Sequence, residues 1–154
     1  MADREDSVFT AGGGNTLGII RHGREKMDRY ERAATEQIFP GDVLERTVNG
    51  DGDPAFSLHS GDATKDAYVA VEARGRGMNA DTDEGYAAGE EVIAVRPAGG
   101  GVHLSLASGE SVTDGDPLVV NGAGDGTVIA ESSEGAAAVI GHAGEGLDLG
   151  GASN

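Results

Sequence analysis

The side chains best placed for chemistry are oxygen-bearing residues in glycine-rich turns. The richest of these stretches is VTDGDPLVVNGAGDGTVIA, residues 112–130. A phosphate-binding loop requires a strand, then glycines, then a helix whose N-terminal amides face the anion. Here Gly122, Gly124 and Gly126 precede TVIAES, a strand-like pattern, and Asp125 would repel a phosphate. The stretch therefore predicts a tight reversal between two strands, with glycines in left-handed conformations.

Two acidic turns carry oxygen-bearing side chains of the kind that bind calcium. NGDGDP, residues 49–54, begins like an EF-hand loop, but Pro54 stands where the sixth-position glycine is needed. Ser60 stands at the twelfth position, where that loop needs a bidentate glutamate. DTDEG, residues 81–85, could also offer oxygens to a hard cation. Solvated turn acids are the favoured interpretation of both stretches, so we predict no metal and no other cofactor.

Catalytic residues are not evident in the sequence. The four histidines, at positions 22, 59, 103 and 142, are far apart and lack the paired spacing of a zinc site. No Gly-x-Ser-x-Gly nucleophile elbow occurs. With 27 acidic residues in the chain, any chosen pair of carboxylates carries little information. We predict that the protein is not an enzyme, and an enzyme remains the third alternative.

The basic residues concentrate near the N-terminus. Residues 1–46 carry 7 basic and 9 acidic side chains, whereas residues 47–154 carry 4 and 18. The candidate binding residues of this segment are Arg21, Arg24, Lys26, Arg29, Arg32 and, among them, Tyr30. The segregation of charge favours an arm that docks on an acidic partner. The alternative is a solvated helix face whose charge is balanced by Glu25, Asp28 and Glu31.

The conformation of this N-terminal segment is left open by its pattern. Met27, Tyr30, Ala34 and Ile38 fall at helical spacing, and Pro40 would end a helix. An extended arm lying on a partner fits equally well. The glycine run at residues 11–15 predicts a flexible tether within a free or partner-ordered start, residues 1–16. We therefore predict an N-terminal arm, extended or partly helical, over residues 1–39.

From residue 40 onward, short apolar runs alternate with turn residues. Seven runs read as strands: residues 42–48, 67–73, 90–97, 101–107, 116–122, 126–132 and 136–143. In residues 101–107, the alternation predicts Val102, Leu104 and Leu106 on one face and His103 pointing outward. Residues 41–56 and 115–130 echo each other and predict two hairpins. The spacing of the turns indicates an all-β domain, a small β-barrel, over residues 40–154.

Bulk composition limits the choice of partner. The net charge is −16, with only two lysines, so nucleic acid and anionic membranes are poor partners. No apolar run approaches the ~20 residues that a membrane-spanning helix needs. Many carboxylates, few lysines and abundant glycine and alanine are typical of proteins that work in strong brine. The low content of bulky apolar residues indicates that the chain completes its burial in an assembly.

Several stretches resemble head decoration (cement) proteins of tailed viruses, especially viruses that infect halophilic archaea. The similar stretches are IFPGDVLERT (38–47), AYVAVEARGRG (67–77), GYAAGEEVIAVRPAGGGVHLSLASGESVTDGDPLV (85–119) and GDGTVIAES (124–132). The matching motifs are Pro-Gly-Asp at 40–42, Tyr-Ala-x-Gly-Glu at 86–90, Gly-Asp-x-Leu at 115–118 and Gly-Asp-Gly at 124–126. The resemblance spans residues 38–132, about two-thirds of the chain, and its motifs mark turns and strand starts rather than chemistry.

This resemblance implies a barrel or tulip-like domain on the outer surface of a virion capsid. It implies a homotrimer that stabilises the shell by bridging subunits of the major capsid protein, with the N-terminal segment pinning neighbours. The length of the arm and its arginine-rich segment depart from the pattern. The alternative from another class is a carbohydrate- or cation-binding β module on another virion part, such as the tail.

Overall fold

A computed structural model describes residues 20–22, 28–72, 84–96, 101–131 and 139–148. These residues form twelve β-strands and no α-helix. The strands are β1 (Ile20–His22), β2 (Asp28–Ala34), β3 (Val43–Val48), β4 (Pro54–Leu58), β5 (Tyr68–Ala70), β6 (Glu91–Arg96), β7 (Gly101–Val102), β8 (Ser111–Val112), β9 (Pro117–Val120), β10 (Val128–Ala130), β11 (Val139–His142) and β12 (Leu147–Asp148). The all-β prediction is confirmed.

Five strands close into a barrel in the order β2-β4-β3-β5-β6. Strand β2 closes it, pairing antiparallel with β6 from Asp28↔Arg96 to Ala33↔Glu91 and parallel with β4 at Ala33↔Ala55 and Ala34↔Phe56. Closure leaves the barrel without a free edge strand, which removes a site for aggregation. The predicted small β-barrel is therefore present.

The barrel core is built from aromatic rings packed among alanines. Tyr68 and Phe56 are fully buried, with ring centroids 5.4 Å apart, and Tyr30 meets Tyr68 edge-on at 5.1 Å. Ala70 and Ala94 lie opposite each other on β5 and β6 and are also fully buried. A narrow barrel has room for large rings only where small residues face them. The alanines that alternate in β5 and β6 therefore set the space for the rings.

The structure corrects the predicted arm. Residues 28–34 form a seven-residue strand of the barrel, so the helical interpretation is wrong over this range. The extended interpretation is right there, but the strand pairs with β4 and β6 of its own chain. The barrel thus begins inside the segment that was assigned to the arm. Residues 1–19 and 23–27, including the glycine tether, lie outside the described residues.

A second, smaller core packs beside the barrel. Strands β10-β9-β11 form one sheet, and β8 pairs with β12. Val43 of the barrel joins their apolar cluster, which also contains Val112, Leu118, Val120, Val128, Ala130 and Ala143. Both predicted hairpins are confirmed: β3 reverses into β4, and β9 reverses into β10. The glycine-rich stretch at 112–130 is therefore a turn between two strands.

Residues 101–107 fit the predicted face but not a full strand. Only Gly101 and Val102 are in a strand, which pairs with β1, and Leu106 makes a single bridge to Val128. Val102, Leu104 and Leu106 nevertheless pack against the two cores, and His103 is exposed. The side-chain alternation was thus predicted correctly.

Candidate functional site

Four turns share one construction, in which glycine is followed by an acid. They span residues 39–42, 87–90, 107–110 and 113–116, and their glycines have φ between +84° and +98°. In each turn, the amide of the acid donates to the carbonyl three residues earlier, at 3.0–3.2 Å. These are the features of a type II turn, whose third position favours glycine. Glycine–acid pairs in this sequence therefore mark turns.

The acid of three of these turns also has a structural partner. The carboxylates of Asp42, Glu90 and Asp116 each accept a hydrogen bond from the backbone N–H three residues earlier, at 2.7–2.8 Å. Each carboxylate thus satisfies a backbone donor that the turn would otherwise leave open. Because the three turns share this geometry, these acids are part of the turn structure.

The loops considered for calcium and phosphate use their polar groups internally. In the β3–β4 turn, the side-chain oxygen of Asn49 accepts from the amides of Asp51 and Asp53 at 3.0 and 2.9 Å. In the β9–β10 turn, Asp125 accepts from the amide and hydroxyl of Thr127 at 3.0 and 2.6 Å. Such Asx arrangements stabilise the reversal. Asp81 and Asp83 of the other acidic turn lie outside the described residues.

Asp42 is the buried acid at the joint between the two cores. Its carboxylate accepts from the amide of Phe39 at 2.8 Å and from the hydroxyl of Ser105 at 3.1 Å. Burial raises the pKa of Asp42 to about 6, against the lowering effect of the bonds from Phe39 and Ser105. The nearby charge of Asp125 also contributes to this rise. A carboxylate in this position is costly to ionise because it loses its hydration.

A polar cluster surrounds Glu45, which lies on the same face of β3 as Val43. Its carboxylate accepts from the amide and hydroxyl of Ser60, at 3.0 and 2.7 Å, and from Lys65 at 3.4 Å. The Nδ1 atom of buried His59 accepts from the amide of Gly61 at 3.0 Å, so it carries no proton toward Glu45. Because the Ser60 hydroxyl donates to Glu45, this cluster lacks the serine–histidine bond of a nucleophilic site. Its geometry fastens the loop after β4 to the barrel.

The hollow beside this cluster is small. It is lined by His59, Asp62, Lys65, Val120 and Ile140, among others, and has a volume of about 20 Å³. A cavity of that size holds about one water molecule. It does not have the ~300 Å³ typical of a small-molecule site.

Replacing Glu45 by glutamine should lower the free energy of unfolding by about 1 kcal/mol at pH 7, since charge-assisted bonds become neutral ones. Burial raises the pKa of Glu45, but the bonds from Ser60 and Lys65 outweigh it and the pKa is lowered. A lowered pKa gives stability that is present above the unfolded value and lost as pH falls through the folded value. The difference between the two proteins in the free energy of unfolding, measured with urea, should therefore shrink toward pH 3. A difference that stays constant with pH would contradict this assignment.

The predicted docking residues are divided by the structure. Arg21 lies in β1, whereas Arg24 and Lys26 lie outside the described residues. Arg29 is exposed on β2 and forms an ion pair with Glu31. Tyr30 and Arg32 share the other face of the strand, where Tyr30 packs against the barrel core. Arg32 is half-buried, with its guanidinium carbon 5.8 Å from the centroid of the Phe56 ring.

Arg46, on β3, completes a group that sequence reasoning missed. Its guanidinium carbon lies 5.0 Å from the ring centroid of Tyr30 and 4.8 Å from that of Tyr68. Arg46 lies toward one end of the barrel. At this end β3 and β6 finish, and β2, β4 and β5 begin. We call Arg32, Arg46, Tyr30, Phe56 and Tyr68 the arginine–aromatic cluster. Positive charges held over ring faces are stabilised by the negative π-faces.

The Tyr68 hydroxyl is the one buried side-chain oxygen or nitrogen in the described residues that has no hydrogen-bond partner. Burial raises the pKa of Tyr68, while the charge of Arg46 acts to lower it. The hydroxyl is therefore a neutral O–H donor without an acceptor. Unpaired buried polar groups are rare in native proteins and call for an explanation.

Comparison with protein-family models found no match, and comparison with curated proteins found no relative. Within the described ranges, no three histidine, aspartate or glutamate side chains are grouped as metal ligands. The same part of the chain has no helix with the length and apolarity to cross a bilayer. Function must therefore be argued from the turns, the charge and the arginine–aromatic cluster.

Proposed function

We propose that this protein is a capsid decoration, or cement, protein of a tailed virus. In this proposal a homotrimer binds the outer surface of the icosahedral head. It stabilises the head by bridging subunits of the major capsid protein. It performs no catalysis.

The observation that carries the proposal concerns the motifs of the resemblance. The Pro-Gly-Asp motif forms the turn at which Asp42 links the barrel to Ser105. In the Tyr-Ala-x-Gly-Glu motif, Tyr86 bridges to Ile38 through two backbone bonds, and its buried hydroxyl donates to the carbonyl of Val71 at 2.7 Å. In the Gly-Asp-Gly motif, the Gly126 carbonyl accepts from the amide of Val43 at 2.7 Å. The motifs thus lie where separate segments of the β domain meet, which supports a likeness to the architecture of cement proteins.

The chemistry of the described residues suits a structural protein. Acids and amides in the turns are engaged with their own backbone, and the hollow near His59 is the size of one water. A cement protein needs only buried area shared among several shell subunits. Because it binds the assembled shell and not the free subunits, its binding energy adds to the stability of the assembly by linkage.

The charge also suits a protein on the outside of a particle in brine. The many carboxylates behind the net charge of −16 keep an exposed surface hydrated and soluble. At about 1 M salt the Debye length is only ~3 Å, so repulsion between neighbouring copies is screened. The same repulsion would act over longer distances in dilute buffer and favour release.

The sugar-binding alternative has less support. Sugar sites commonly stack the ligand on exposed aromatic rings, and the chain has three phenylalanines, three tyrosines and no tryptophan. Phe56, Tyr68 and Tyr86 are fully buried, and Tyr30 packs on the core. Phe39, 37% exposed, is the exposed aromatic ring in the described part of the chain. A single ring does not form a platform.

The proposal is tested on purified virions. We expect this chain at a fixed ratio to the major capsid protein, measured by quantitative mass spectrometry of particles washed in brine. Dialysis to low salt should release the chain and lower the temperature at which the heads open. Adding the purified chain back in brine should restore that temperature.

Two results would contradict the proposal. One is absence of the chain from washed particles. The other is release of the chain with no change in head stability, because a cement protein must stabilise what it binds. Retention on tails rather than on heads would favour the alternative β module.

A further inference from the structure

We propose that the arginine–aromatic cluster is the docking site for a carboxylate side chain on an acidic segment of the shell protein. The identity of the partner rests on the proposed function. The carboxylate chemistry rests on the geometry of the cluster alone. The site differs from the predicted docking arm, since its central residues, Arg46 and Tyr68, lie beyond residue 39.

The first argument is the position of the positive charges. In the described part of the chain, Arg29 pairs with Glu31, Lys65 with Glu45, and Arg96 with Asp66. Arg32 and Arg46 have no carboxylate within ion-pair distance among the described residues. Two arginines that no described carboxylate compensates are unexpected in a chain with 27 acidic residues. Their guanidinium groups keep hydrogen-bond donors available for a ligand.

The second argument is the Tyr68 hydroxyl. The Tyr68 ring centroid lies 4.8 Å from the Arg46 guanidinium carbon, and the charge of Arg46 acts on the pKa of the hydroxyl. This hydroxyl is a buried donor with no acceptor. The cluster therefore offers donors from two guanidinium groups and one hydroxyl, and both of its charged groups are donors only. An anion with several acceptor oxygens is the complementary ligand.

The aromatic rings fix the Arg46 guanidinium in one orientation, which suits a direct ion pair with a carboxylate. Tyr30 and Tyr68 hold the Arg46 guanidinium in place, so little side-chain entropy is lost when it binds. A planar guanidinium matches a carboxylate in a bidentate pair. Contact pairs of this kind survive in brine better than long-range attraction does.

An exposed apolar residue lies beside the charged group. Val48 is two residues from Arg46 on β3, so both side chains leave the same face of the strand. Val48 is 62% exposed, more than Phe39 or Val139. A docked segment therefore has an apolar contact next to its carboxylate, as is usual at the centre of a protein interface.

The test uses the full chain in about 1 M KCl, where non-specific repulsion is screened. Hexaglutamate is the probe, and hexaglutamine is the uncharged control. Binding is followed by NMR through the Arg Nε–H resonances. We expect saturable shifts with hexaglutamate and none with hexaglutamine.

Arg46→Gln should weaken binding about tenfold, the loss of one good bidentate pair. Lys65→Gln removes the same charge away from the cluster and should leave affinity unchanged.

Tyr68→Phe separates binding from folding. It removes only the unpaired hydroxyl, so the free energy of unfolding should stay the same or rise. Its affinity for hexaglutamate should nevertheless fall severalfold. Equal affinity of wild type, Arg46→Gln and Tyr68→Phe would overturn the site, as would shifts caused equally by hexaglutamine. Inorganic phosphate binding as tightly as hexaglutamate would overturn the assignment to a carboxylate.

Particle binding distinguishes the two proposals. If Arg46→Gln binds stripped heads as tightly as wild type, the docking site is wrong and the cement function stands. If hexaglutamate binds as expected but the chain is absent from virions, the cement function is wrong. In that case the carboxylate site stands without its shell partner.

Discussion

Asp42→Asn is expected to stabilise the protein at pH 8, by at most about 3 kcal/mol. Burial raises the pKa of Asp42 from 3.8 to about 6, and one pKa unit corresponds to about 1.4 kcal/mol. Asparagine can keep both bonds, because its oxygen accepts from Phe39 and its amide donates to the Ser105 hydroxyl. The variant therefore removes a costly buried charge and keeps the turn.

The pH dependence gives the sign of this effect. The folded state holds the Asp42 proton more tightly than the unfolded chain does. As pH rises from about 4 to about 6, the unfolded chain releases this proton first, and the free energy of unfolding falls. Above pH 6 the cost is constant. Urea unfolding of wild type, followed by circular dichroism in brine, should show this fall, and Asp42→Asn should lack it.

Asp116→Asn is the matched control for Asp42. Asp116 occupies the same position in the same type of turn, but its pKa is lowered by the hydrogen bonds from Thr113. Its charge is therefore favoured in the folded state, and the substitution should not stabilise at any pH. If Asp42→Asn destabilises at pH 8 as Asp116→Asn does, the Asp42 charge is not costly in the fold.

Gly85→Ala is expected to lower the free energy of unfolding by about 3 kcal/mol, at the upper end of overpacking effects. A Cβ atom at Gly85 would lie 2.5 Å from the carbonyl oxygen of Ile38 and 2.8 Å from the Cδ1 atom of Phe39. The backbone cannot retreat easily, because Ile38 and Tyr86 exchange two hydrogen bonds, at 2.7 and 3.0 Å. The side chain would therefore break this bridge or displace Phe39.

Gly50→Ala is the control for this steric effect. A Cβ at Gly50 meets nothing within 4 Å, and no left-handed φ is required there. We expect a change of less than about 0.5 kcal/mol, as at most surface sites. Midpoints of urea unfolding measure both variants. Equal losses for the two would mean that the Ile38–Tyr86 bridge can shift to admit a methyl group.

Strands and turns were predictable wherever local pattern determines structure. The short apolar runs of β3, β5 and β6 mark strands, and glycine followed by an acid marks the turn. Strand β2 was not predictable in this way. Its sequence, DRYERAA, places Tyr30 and Ala34 at helical spacing, and only its distant partners β4 and β6 hold it extended. Non-local pairing overrides local preference here.

The residues of the candidate site also divide into those predictable from local sequence and those that depend on distant partners. Arg32 and Tyr30 were recognised from the local excess of positive charge. Arg46 and Tyr68 were missed, because they lie in different strands and meet only when β3 and β5 pair. The raised pKa of Asp42 was equally hidden, since it depends on burial at a joint between two cores. Properties that arise from contacts between distant segments leave no signal in a single stretch of sequence.

Closure by β2 also constrains how the chain acquires its shape during synthesis. The antiparallel partner of β2 ends at Arg96, so on the ribosome β2 has only its short parallel pairing with β4 until β6 has emerged. Such distant pairing slows folding and prolongs exposure of an open sheet to other nascent chains. Truncations that stop before Asp28 keep the closing strand. Truncations that remove it leave β4 and β6 with bare edges, and loss of binding in those variants would report misfolding rather than a lost contact.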